Sequence, residues 1–445
     1  MRDFAISDDP AVQAQLDRLG ALTLPQGRFG LETISELLAR LDNPQHGLPP
    51  TFHVAGTNGK GSTCAYLRAM LEAEGYRVHA ATKPHLVRYN ERIRVAGKLI
   101  EDNLLAALLE EVLDAGAGLD ASFFEVTAAA AFLAFARIPA DACIIEVGLG
   151  GRLDATNVLE RPAACGIASL GIDHEAFLLR PEEGVPTEPR QRIAFEKASI
   201  ARAGAPLVTQ AYARDVARVV ARTAHAHRAE LFMRGHAWGA EVLADHVDYH
   251  DCYGPLRLPL PFLAGAHQAD NAALAVAMLR HQNRIAVSPE AMARGIIAAR
   301  WPGRLQQLGP GPLTERLPGR AVWVDGAHNA DAAEAVARAM APHAPIDLMF
   351  GLARNRRVAD VLFPFAPLVR ECRVVPLPGH DHHDPRDIAM FAQAERRPAE
   401  TYPDFSLEQA LDRLAARGTE PRPVLIAGSL YLVGEALKFN RELPD

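Results

Sequence analysis

The segment GTNGKGST, residues 56–63, has the residue types of a phosphate-binding loop. The common loop of this kind has four residues between its first glycine and the Gly-Lys pair, but Val54 stands where that first glycine would fall. Glycines let successive backbone N–H groups converge on phosphate oxygens, and the N-terminus of the next helix adds a positive partial charge. The sequence therefore predicts a shortened nucleoside triphosphate site, with Lys60 on the outer phosphates and Ser62 or Thr63 facing a magnesium ion. The alternative is a glycine turn with a solvated lysine, and the loop alone does not separate a GTPase, a kinase and a ligase.

Other polar segments follow predicted strands. TKPHLVRYNERIRV is a charged loop whose single residues are each explained more simply by solvation. EVGLGGRLDATNV combines glycines, which allow close approach of a ligand, with a dense polar run. SLGIDHEAF places Asp173 and His174 after a strand, and WVDGAHNADAA places Asp325, His328 and Asn329 at another strand end. Asn329 alone is explained as a helix N-cap.

Three features are ambiguous from the residues alone. Glu125, in SFFEVTAAAAFLAF, is a carboxylate in the middle of an apolar helical pattern. It is either paired or bound to a metal, or it faces solvent on a narrow polar stripe. Lys197 lies in a helical pattern and, taken alone, is expected to be a solvated surface charge. PGHDHHDP is interpreted as an exposed polar loop, because no fixed ligand spacing supports a metal site.

The elements that position these residues alternate between strands and helices. TFHVAG, GSTCAYLRAMLEAEGY and RVHAAT predict a strand, a helix ending at Gly75 and a second strand, which together form a βαβ unit of a parallel sheet. A second alternating block follows residues 299–303. The prediction is an α/β protein with two domains, 1–299 and 300–445, and with ligands at the carboxyl ends of the strands.

Composition limits the possible functions. The chain of 445 residues is too long for one ordinary core. Its net charge of −7 argues against a general nucleic-acid binder. Five scattered cysteines without a Cys-x-x-Cys pair indicate reduced thiols in a cytoplasmic protein. We see no signal peptide in the first residues and no apolar run of membrane-spanning length.

Taken together, these segments resemble the folylpolyglutamate synthase family, a branch of the Mur-type ATP-dependent amide ligases. The matching segments occur in the family's order and cover nearly the whole chain: GLETISELLARLDNPQ, HVAGTNGKGST, PHLVRYNERI, EVGLGGRLDATNV, IDHEAFL, HQADNAALA, WPGRLQ and DGAHNADAA. The shortened loop is this superfamily's version. PHLVRYNERI and GLGGRLDATN favour the folate branch over a cell-wall Mur ligase.

The resemblance implies an N-terminal P-loop ATP-binding domain and a smaller, Rossmann-like C-terminal domain. It implies that the ATP phosphates are bound by the loop residues Gly56, Thr57, Asn58, Gly59, Lys60, Gly61, Ser62 and Thr63. It implies further ATP contacts at Asn271, Arg304 and Asp325, with His328 close to the reaction, and a pterin near Leu153, Asp154 and Ala155. It assigns Glu125 and His174 to magnesium. It also implies that Lys197 is carbamylated and binds a second magnesium ion.

This chain departs from the family pattern at two positions. The family has a magnesium-ligating Ser where Lys83 stands, and a Gly where Ser199 stands. An ammonium cannot ligate a metal. Lys83 therefore either neutralises phosphate charge or weakens the first metal site.

The activity implied by the resemblance is an amide ligation in two steps. The substrate carboxylate attacks the γ-phosphate of ATP to give an acyl phosphate, and the amine of L-glutamate then displaces phosphate. The acceptor is dihydropteroate, tetrahydrofolate or both, and the expected protein is a cytoplasmic monomer that binds neither nucleic acid nor membrane. An alternative from another class is a nucleotide-switch module, although no segment resembles a guanine-recognising motif.

Overall fold

The computed structural model describes residues 6–22, 30–398, 400–416 and 422–444. The first five residues, where we predict no signal peptide, lie outside the described residues. The chain divides into two compact units. The first consists of Met1–Phe262 and His267–Arg300, and the second of Leu263–Ala266 and Trp301–Asp445. The predicted domain boundary at residues 299/300 falls beside Arg300.

The first unit contains an eight-stranded sheet with the order β4-β3-β2-β5-β1-β6-β7-β8. All neighbours from β2 to β8 are parallel, whereas β3 and β4 pair antiparallel at one edge. The strands of this sheet are β1 (Thr51–Ala55), β2 (Val78–Ala81), β3 (Ile93–Val95), β4 (Lys98–Leu99), β5 (Ala142–Glu146), β6 (Ala164–Ile167), β7 (Pro206–Thr209) and β8 (Glu230–Met233).

A separate antiparallel sheet has the order β11-β10-β9. It consists of β9 (Trp238–Val242), β10 (His246–Asp251) and β11 (Leu256–Pro259). The proline-rich segment around β11 was predicted not to form a central strand, and it lies at the edge of this sheet because proline cannot donate to a ladder.

The helices of the first unit follow the predicted alternation with the strands. They are α1 (Pro10–Gly20), α2 (Glu32–Arg40), α3 (Lys60–Glu74), α4 (Asp102–Ala115), α5 (Phe123–Arg137), α6 (Glu175–Leu178), α7 (Pro189–Ala198), α8 (Arg214–Ala226), α9 (Ala266–Arg280) and α10 (Pro289–Ala298). The strands β1, β2 and β5 are buried along their whole length. Both faces of these strands are covered, so even their polar residues, such as His53 in β1 and His79 in β2, are buried.

Two cores hold the main sheet. Helices α4 and α5 pack with Cys143 and Ile145 of β5, and α7 and α8 pack with Cys165 and Ile167 of β6. The carboxyl ends of β1, β5 and β6 therefore share one edge of a sheet that is packed by helices, and the polar segments predicted above begin at this edge.

The second unit is a six-stranded sheet with the order β12-β13-β17-β14-β15-β16, in which only the β12–β13 pair is antiparallel. Its strands are β12 (Gln306–Gln307), β13 (Val322–Asp325), β14 (Ile346–Phe350), β15 (Val369–Val374), β16 (Thr401–Pro403) and β17 (Val424–Ala427). Its helices are α11 (Ala330–Met340), α12 (Val358–Leu362), α13 (Pro385–Glu395), α14 (Leu407–Ala416) and α15 (Leu430–Asn440). The predicted α/β class, with two mainly parallel sheets, is confirmed.

Among the described residues, no helix combines the length and the apolar character needed to cross a membrane.

Candidate active site

The phosphate-binding loop, residues 56–63, consists of the connection between β1 and α3 together with the first turn of α3, which begins at Lys60. It is clamped against the segment that follows β6. The Thr57 amide donates to the Ser169 carbonyl at 2.7 Å, and the Thr57 hydroxyl donates to the Gly171 carbonyl at 2.8 Å. These contacts hold the loop at the N-terminus of α3, where the first backbone N–H groups of a helix are suited to bind an anion.

Gly59 is required by its surroundings. Its φ of +85° lies in the left-handed region, and a Cβ at this position would lie 2.3 Å from Oδ1 of Asn271. Asn271, on α9, is buried and also donates from Nδ2 to Gln268 at 3.3 Å. The structure therefore brings Asn271 directly onto the phosphate-binding loop, as the sequence comparison of motifs implied.

Two lysines meet at one carbonyl oxygen of this loop. Nζ of Lys60 donates to the carbonyls of Gly56 at 3.0 Å and Thr57 at 3.2 Å. Nζ of Lys197 donates to the same Gly56 carbonyl at 3.0 Å. Lys197 is only 3% exposed, so the interpretation of this residue as a solvated surface charge is wrong. Burial, followed by the charge of Lys60, lowers the pKa of Lys197 to about 7.

Ser199, the second departure from the family pattern, does not enter this cluster. Ser199 is the C-cap of α7, and its hydroxyl donates to the Phe195 carbonyl of this helix at 2.8 Å. A Ser at this position is therefore accommodated by the backbone of the helix.

Glu125 does not lie in the middle of its helix, and that expectation is wrong. It is the third residue of α5, in a capping box with Ser122. Oε2 of Glu125 accepts from the Ser122 amide at 2.8 Å and from the Ser122 hydroxyl at 2.7 Å. The carboxylate therefore has a structural partner at a helix N-terminus, where negative charge is favourable.

Glu146 is the carboxylate that the sequence analysis missed. It is the last residue of β5, next to β1 in the sheet, and it is 3% exposed. Burial, and then the charge of Glu146, raises the pKa of the Cys64 thiol in the first turns of α3, so Glu146 lies beside the phosphate-binding loop. The sequence contained a signal for Glu146, because a glutamate at the end of an apolar strand lies at the carboxyl edge of the sheet, where ligands bind.

Asp173 and His174 follow β6 at the same edge. The Asp173 carboxylate raises the pKa of Lys197 against the effect of burial, which places its charge near that ammonium. His174 has a φ of +55°, and its amide donates to Oδ1 of Asp173 at 2.7 Å. The left-handed backbone turns the chain sharply after the strand and holds this pair close together.

The loop GLGGRLDATN is organised around Asp154. Oδ2 accepts from the amides of Gly148 at 3.0 Å and Leu149 at 2.8 Å. Oδ1 accepts from the Thr156 amide at 3.0 Å and the Thr156 hydroxyl at 2.6 Å. Ala155 is buried in the core with α5, and Leu153 is half-buried. Asp154 therefore shapes the loop, and of the three predicted pterin neighbours only Leu153 keeps a partly exposed side chain.

In the second unit, the predicted residues gather at the carboxyl end of β13. Asp325 accepts from the amides of Leu305 and Ala327, each at 2.7 Å. Leu305 has a φ of +40°, so Asp325 stabilises a strained backbone directly after Arg304.

Arg304 and His328 flank the glycine that follows Asp325. A Cβ at Gly326 would lie 2.8 Å from Nη1 of Arg304. Nδ1 of His328 lies 2.8 Å from the Gly326 carbonyl, and because a carbonyl only accepts, Nδ1 carries the proton. The structure thus brings Arg304, Asp325 and His328 together within this unit.

The histidines of PGHDHHDP are half-buried, so the interpretation of this segment as an exposed loop is only partly right. His383 lies 2.8 Å from the Arg356 carbonyl, and the His380 ring stacks on Tyr431. Throughout the described ranges, no cluster of three or more His, Cys, Asp or Glu residues could hold a metal ion.

The donor set around residues 56–63 nevertheless fits a hard divalent cation. Mg²⁺ is usually held by one or two carboxylates together with substrate phosphates, not by an all-protein cage. Glu146 supplies a buried carboxylate beside the loop, and Ser62 and Thr63 supply hydroxyl oxygens at the start of α3.

Comparison with known proteins agrees with this geometry. Residues 319–439 match the family described as "Dihydrofolate synthetase, C-terminal domain". The chain is 31% identical over 430 residues to the dihydrofolate synthase/folylpolyglutamate synthase of Bacillus subtilis, covering 92% of this chain and 94% of that protein.

Two solved structures are similar over nearly the whole chain. The first is E. coli FolC in complex with DHPP and ADP, with a TM-score of 0.84, 30% identity and 97% of each chain covered. The second is a bifunctional folylpolyglutamate synthase/dihydrofolate synthase with Mn, AMPPNP and L-glutamate bound, with a TM-score of 0.81, 28% identity, and 96% of this chain and 97% of that chain covered.

Proposed function

The chain belongs to the dihydrofolate synthase/folylpolyglutamate synthase family, and from this premise we propose which of its residues perform the reaction. It is an ATP-dependent ligase that adds glutamate to dihydropteroate and to folates. The observation that carries our assignment is the convergence of Lys60 and Lys197 on the Gly56 carbonyl, with Asn271 packed on Gly59.

The phosphate-binding loop positions the nucleotide. We infer that backbone N–H groups of residues 56–63 hold the phosphate oxygens, and that the Lys60 ammonium exchanges its two carbonyl acceptors for the outer phosphates of ATP. The substrate carboxylate then attacks the γ-phosphorus, an acyl–oxygen–phosphorus linkage forms, and ADP leaves. Lys60 stabilises the negative charge that shifts to the leaving group, which is the main task of a protein in phosphoryl transfer.

The second step joins the amino acid. The amine of glutamate attacks the acyl carbon, a tetrahedral intermediate forms, and phosphate departs with the carbon–oxygen bond electrons. The proton that the amine loses in this step goes to the departing phosphate. His328, whose Nδ1 is held by the Gly326 carbonyl, is a proposed catalytic residue, and Arg304 is a proposed ligand of ATP phosphates.

A divalent cation, when bound, would neutralise phosphate oxygens. Glu146 and the hydroxyls of Ser62 or Thr63 are the residues that we propose to hold it, with His174 as a further ligand. This replaces Glu125, because the Glu125 carboxylate is engaged by Ser122. We propose that this cation is Mg²⁺ and that a second Mg²⁺ also binds.

Lys197 is suited to carbamylation. Its neutral amine would attack CO₂, forming a nitrogen–carbon bond and releasing one proton, so that a cation is replaced by an anion. Burial and a pKa of about 7 support this proposal, because a substantial fraction of the amine is neutral at neutral pH. A ¹³C carbamate resonance in protein equilibrated with ¹³C-bicarbonate, absent in Lys197→Met, is the expected result.

The experiment that tests the function is divalent-cation-dependent ADP release from ATP. Glutamate is supplied with either dihydropteroate or tetrahydrofolate, and we expect release with both acceptors. A nucleotide switch would instead bind guanine nucleotides preferentially and would not require an acceptor. Tight ATP binding without release for either acceptor would contradict the proposed site.

Lys60→Ala tests the phosphate role within the same assay. We expect turnover to fall by at least about 100-fold, the usual effect of removing one group that stabilises charge in the transition state. The thermal unfolding midpoint should change little, and Lys98→Ala, at an exposed position in β4, is the matched control. Substantial residual turnover in Lys60→Ala would contradict the assignment.

A further inference from the structure

The side chain of Lys83, directly after β2, holds a buried charge that the roles above do not use. Nζ is inaccessible to solvent, and it has no hydrogen-bond partner among the described residues. Leaving an ammonium with three unsatisfied donors in the protein interior is costly. Such a group persists where the bound state of the protein supplies an acceptor.

Asp154 cannot serve as that acceptor. The charge of Lys83 opposes the effect of burial on Asp154 and lowers the pKa of this carboxylate, so the two charges lie near each other. Asp154, however, already accepts from the amides of Gly148, Leu149 and Thr156 and from the Thr156 hydroxyl. These four donors match the roughly four lone-pair positions of a carboxylate. Asp154 therefore has its acceptor positions filled by other donors and leaves the Lys83 ammonium without a hydrogen bond.

The position of the ammonium is fixed by packing. A Cβ at Gly148 would lie 3.1 Å from Nζ and 3.2 Å from Cδ of Lys83, so the lysine side chain runs directly over this glycine. At the other end, the Lys83 amide donates to Oε2 of Glu146 at 2.9 Å. The side chain is thus held between the end of β5 and the Asp154 loop.

The sheet order separates Lys83 from the phosphate-binding lysines. β2 and β1 are neighbours of β5 on opposite sides, so the exits of β2 and β1 lie about 10 Å apart. Lys60 and Lys197 lie at the β1 exit, on the Gly56 carbonyl. Nζ of Lys83 itself lies over Gly148, in the loop that continues to Leu153, Asp154 and Ala155, the residues expected near the pterin. This cation is therefore placed for the acyl substrate, not for the phosphates at the β1 exit.

We propose that the Lys83 ammonium binds the reacting carboxylate of the acyl substrate and orients one of its oxygens toward the γ-phosphate. This inference rests on the proposed function. The lysine keeps its proton throughout, because it supplies hydrogen bonds and charge and takes no part in bond making. After transfer, the same ammonium contacts the carbonyl oxygen of the acyl phosphate.

The test compares two ligands that differ only at the reacting group. Dihydropteroate and its primary carboxamide are titrated by calorimetry into wild-type protein, Lys83→Met and the exposed-site control Lys98→Met, with AMPPNP present. We expect the wild type and the control to prefer the acid. We expect Lys83→Met to lose at least about 30-fold in affinity for the acid while its affinity for the amide is unchanged, as for truncation of a buried charged partner.

Separate titration of AMPPNP shows whether Lys83 binds the substrate carboxylate or the γ-phosphate. An unchanged affinity for AMPPNP in Lys83→Met also shows that the site is folded. Loss of AMPPNP affinity alone would mean that Lys83 binds the γ-phosphate, and the proposal would be wrong. Equal losses for acid and amide, or no loss, would overturn it as well.

The proposed function is tested independently of this residue. If the wild type releases ADP with dihydropteroate and glutamate while Lys83→Met binds the acid normally, only the Lys83 proposal fails. If the wild type discriminates neither acid nor amide and releases no ADP, both fail. Lys83→Arg should restore part of the preference for the acid, because it returns the positive charge.

Discussion

A carboxylate in an apolar segment can serve as a helix cap or as a proposed metal ligand, and Glu125 and Glu146 illustrate these two roles. Glu125 begins α5 and is bonded to Ser122, whereas Glu146 ends β5 beside the phosphate-binding loop. The spacing S-x-x-E at Ser122 was a visible capping signal. The error at Glu125 came from weighing the apolar composition of the helix above the position of the residue within it.

Substitution of these two glutamates distinguishes their roles. We expect Glu146→Gln to weaken Mn²⁺ binding to the protein–AMPPNP complex by at least about tenfold, because a carboxylate ligand is replaced by a neutral one. Glu125→Gln should leave that affinity unchanged and change the unfolding free energy little, because Gln also serves at this position of a capping box. Electron paramagnetic resonance of free Mn²⁺ measures the binding, and weaker binding in Glu125→Gln would restore the original assignment.

Lys197 links the site to the pH dependence of stability. Its folded pKa of about 7 lies below the ordinary value of 10.5. Between these pH values the unfolded chain binds a proton that the folded chain does not. The unfolding free energy therefore rises with pH in this range, and it decreases again as the pH falls toward 7.

The pH slope is measured by urea unfolding in CO₂-free buffer at pH 8 and pH 9. Relative to Lys197→Met, which lacks the titrating group, the wild type should gain about 1.4 kcal/mol per pH unit, the value for one proton. Parallel pH profiles for the two proteins would show that Lys197 titrates normally in the folded state.

At the scale of elements, the turn from β1 to α3 depends on Gly59 for two reasons that can be separated. Gly59 and Gly75 both have positive φ, +85° and +103°, but only Gly59 has a neighbour, Oδ1 of Asn271, in the space of a Cβ. Gly75→Ala should therefore cost about 1 kcal/mol of stability through backbone strain alone.

Gly59→Ala should lower AMPPNP affinity as well as stability, since the new methyl group must displace Asn271 or the loop. Calorimetric titration of both variants gives the comparison. Equal nucleotide affinities in Gly59→Ala and Gly75→Ala would show that the contact with Asn271 does not shape the site.

Elements with one dominant signal could be predicted from the sequence. β1, β2 and β5 are short runs rich in apolar residues, and α3 begins after the glycine loop and is capped by Gly75. The four bonds to Asp154 could not be predicted, because its donors become neighbours only once the loop has closed. The burial of Lys197 was missed because a lone lysine in a helical pattern was expected to face solvent, whereas tertiary packing decides which face is covered.

At the scale of the whole molecule, two α/β units present their polar residues where strands end, and this follows from the alternation of strands and helices along the chain. The Gly56–Lys60 region and the Asp325–His328 region each come directly after a buried strand. A sequence pattern therefore predicts the edge of the sheet that carries function. The identity of the ligand depends on which side chains meet there, and the sequence does not show that Lys83, Asp154 and Glu146 lie together.

The overall charge gives the last prediction. A protein with a net charge of −7 repels ATP at long range, so its nucleotide affinity must come from short-range contacts with groups such as Lys60 and Lys197. Charges in a partly buried site are screened by salt much less than exposed ones. We therefore expect AMPPNP affinity to change by less than about tenfold between 0.05 and 0.5 M KCl, whereas a basic nucleic-acid binder loses several orders of magnitude over a similar range. Titration at the two salt concentrations decides the matter, because a steep loss of affinity would mean that exposed cations, and not the buried cluster at Gly56, attract the nucleotide.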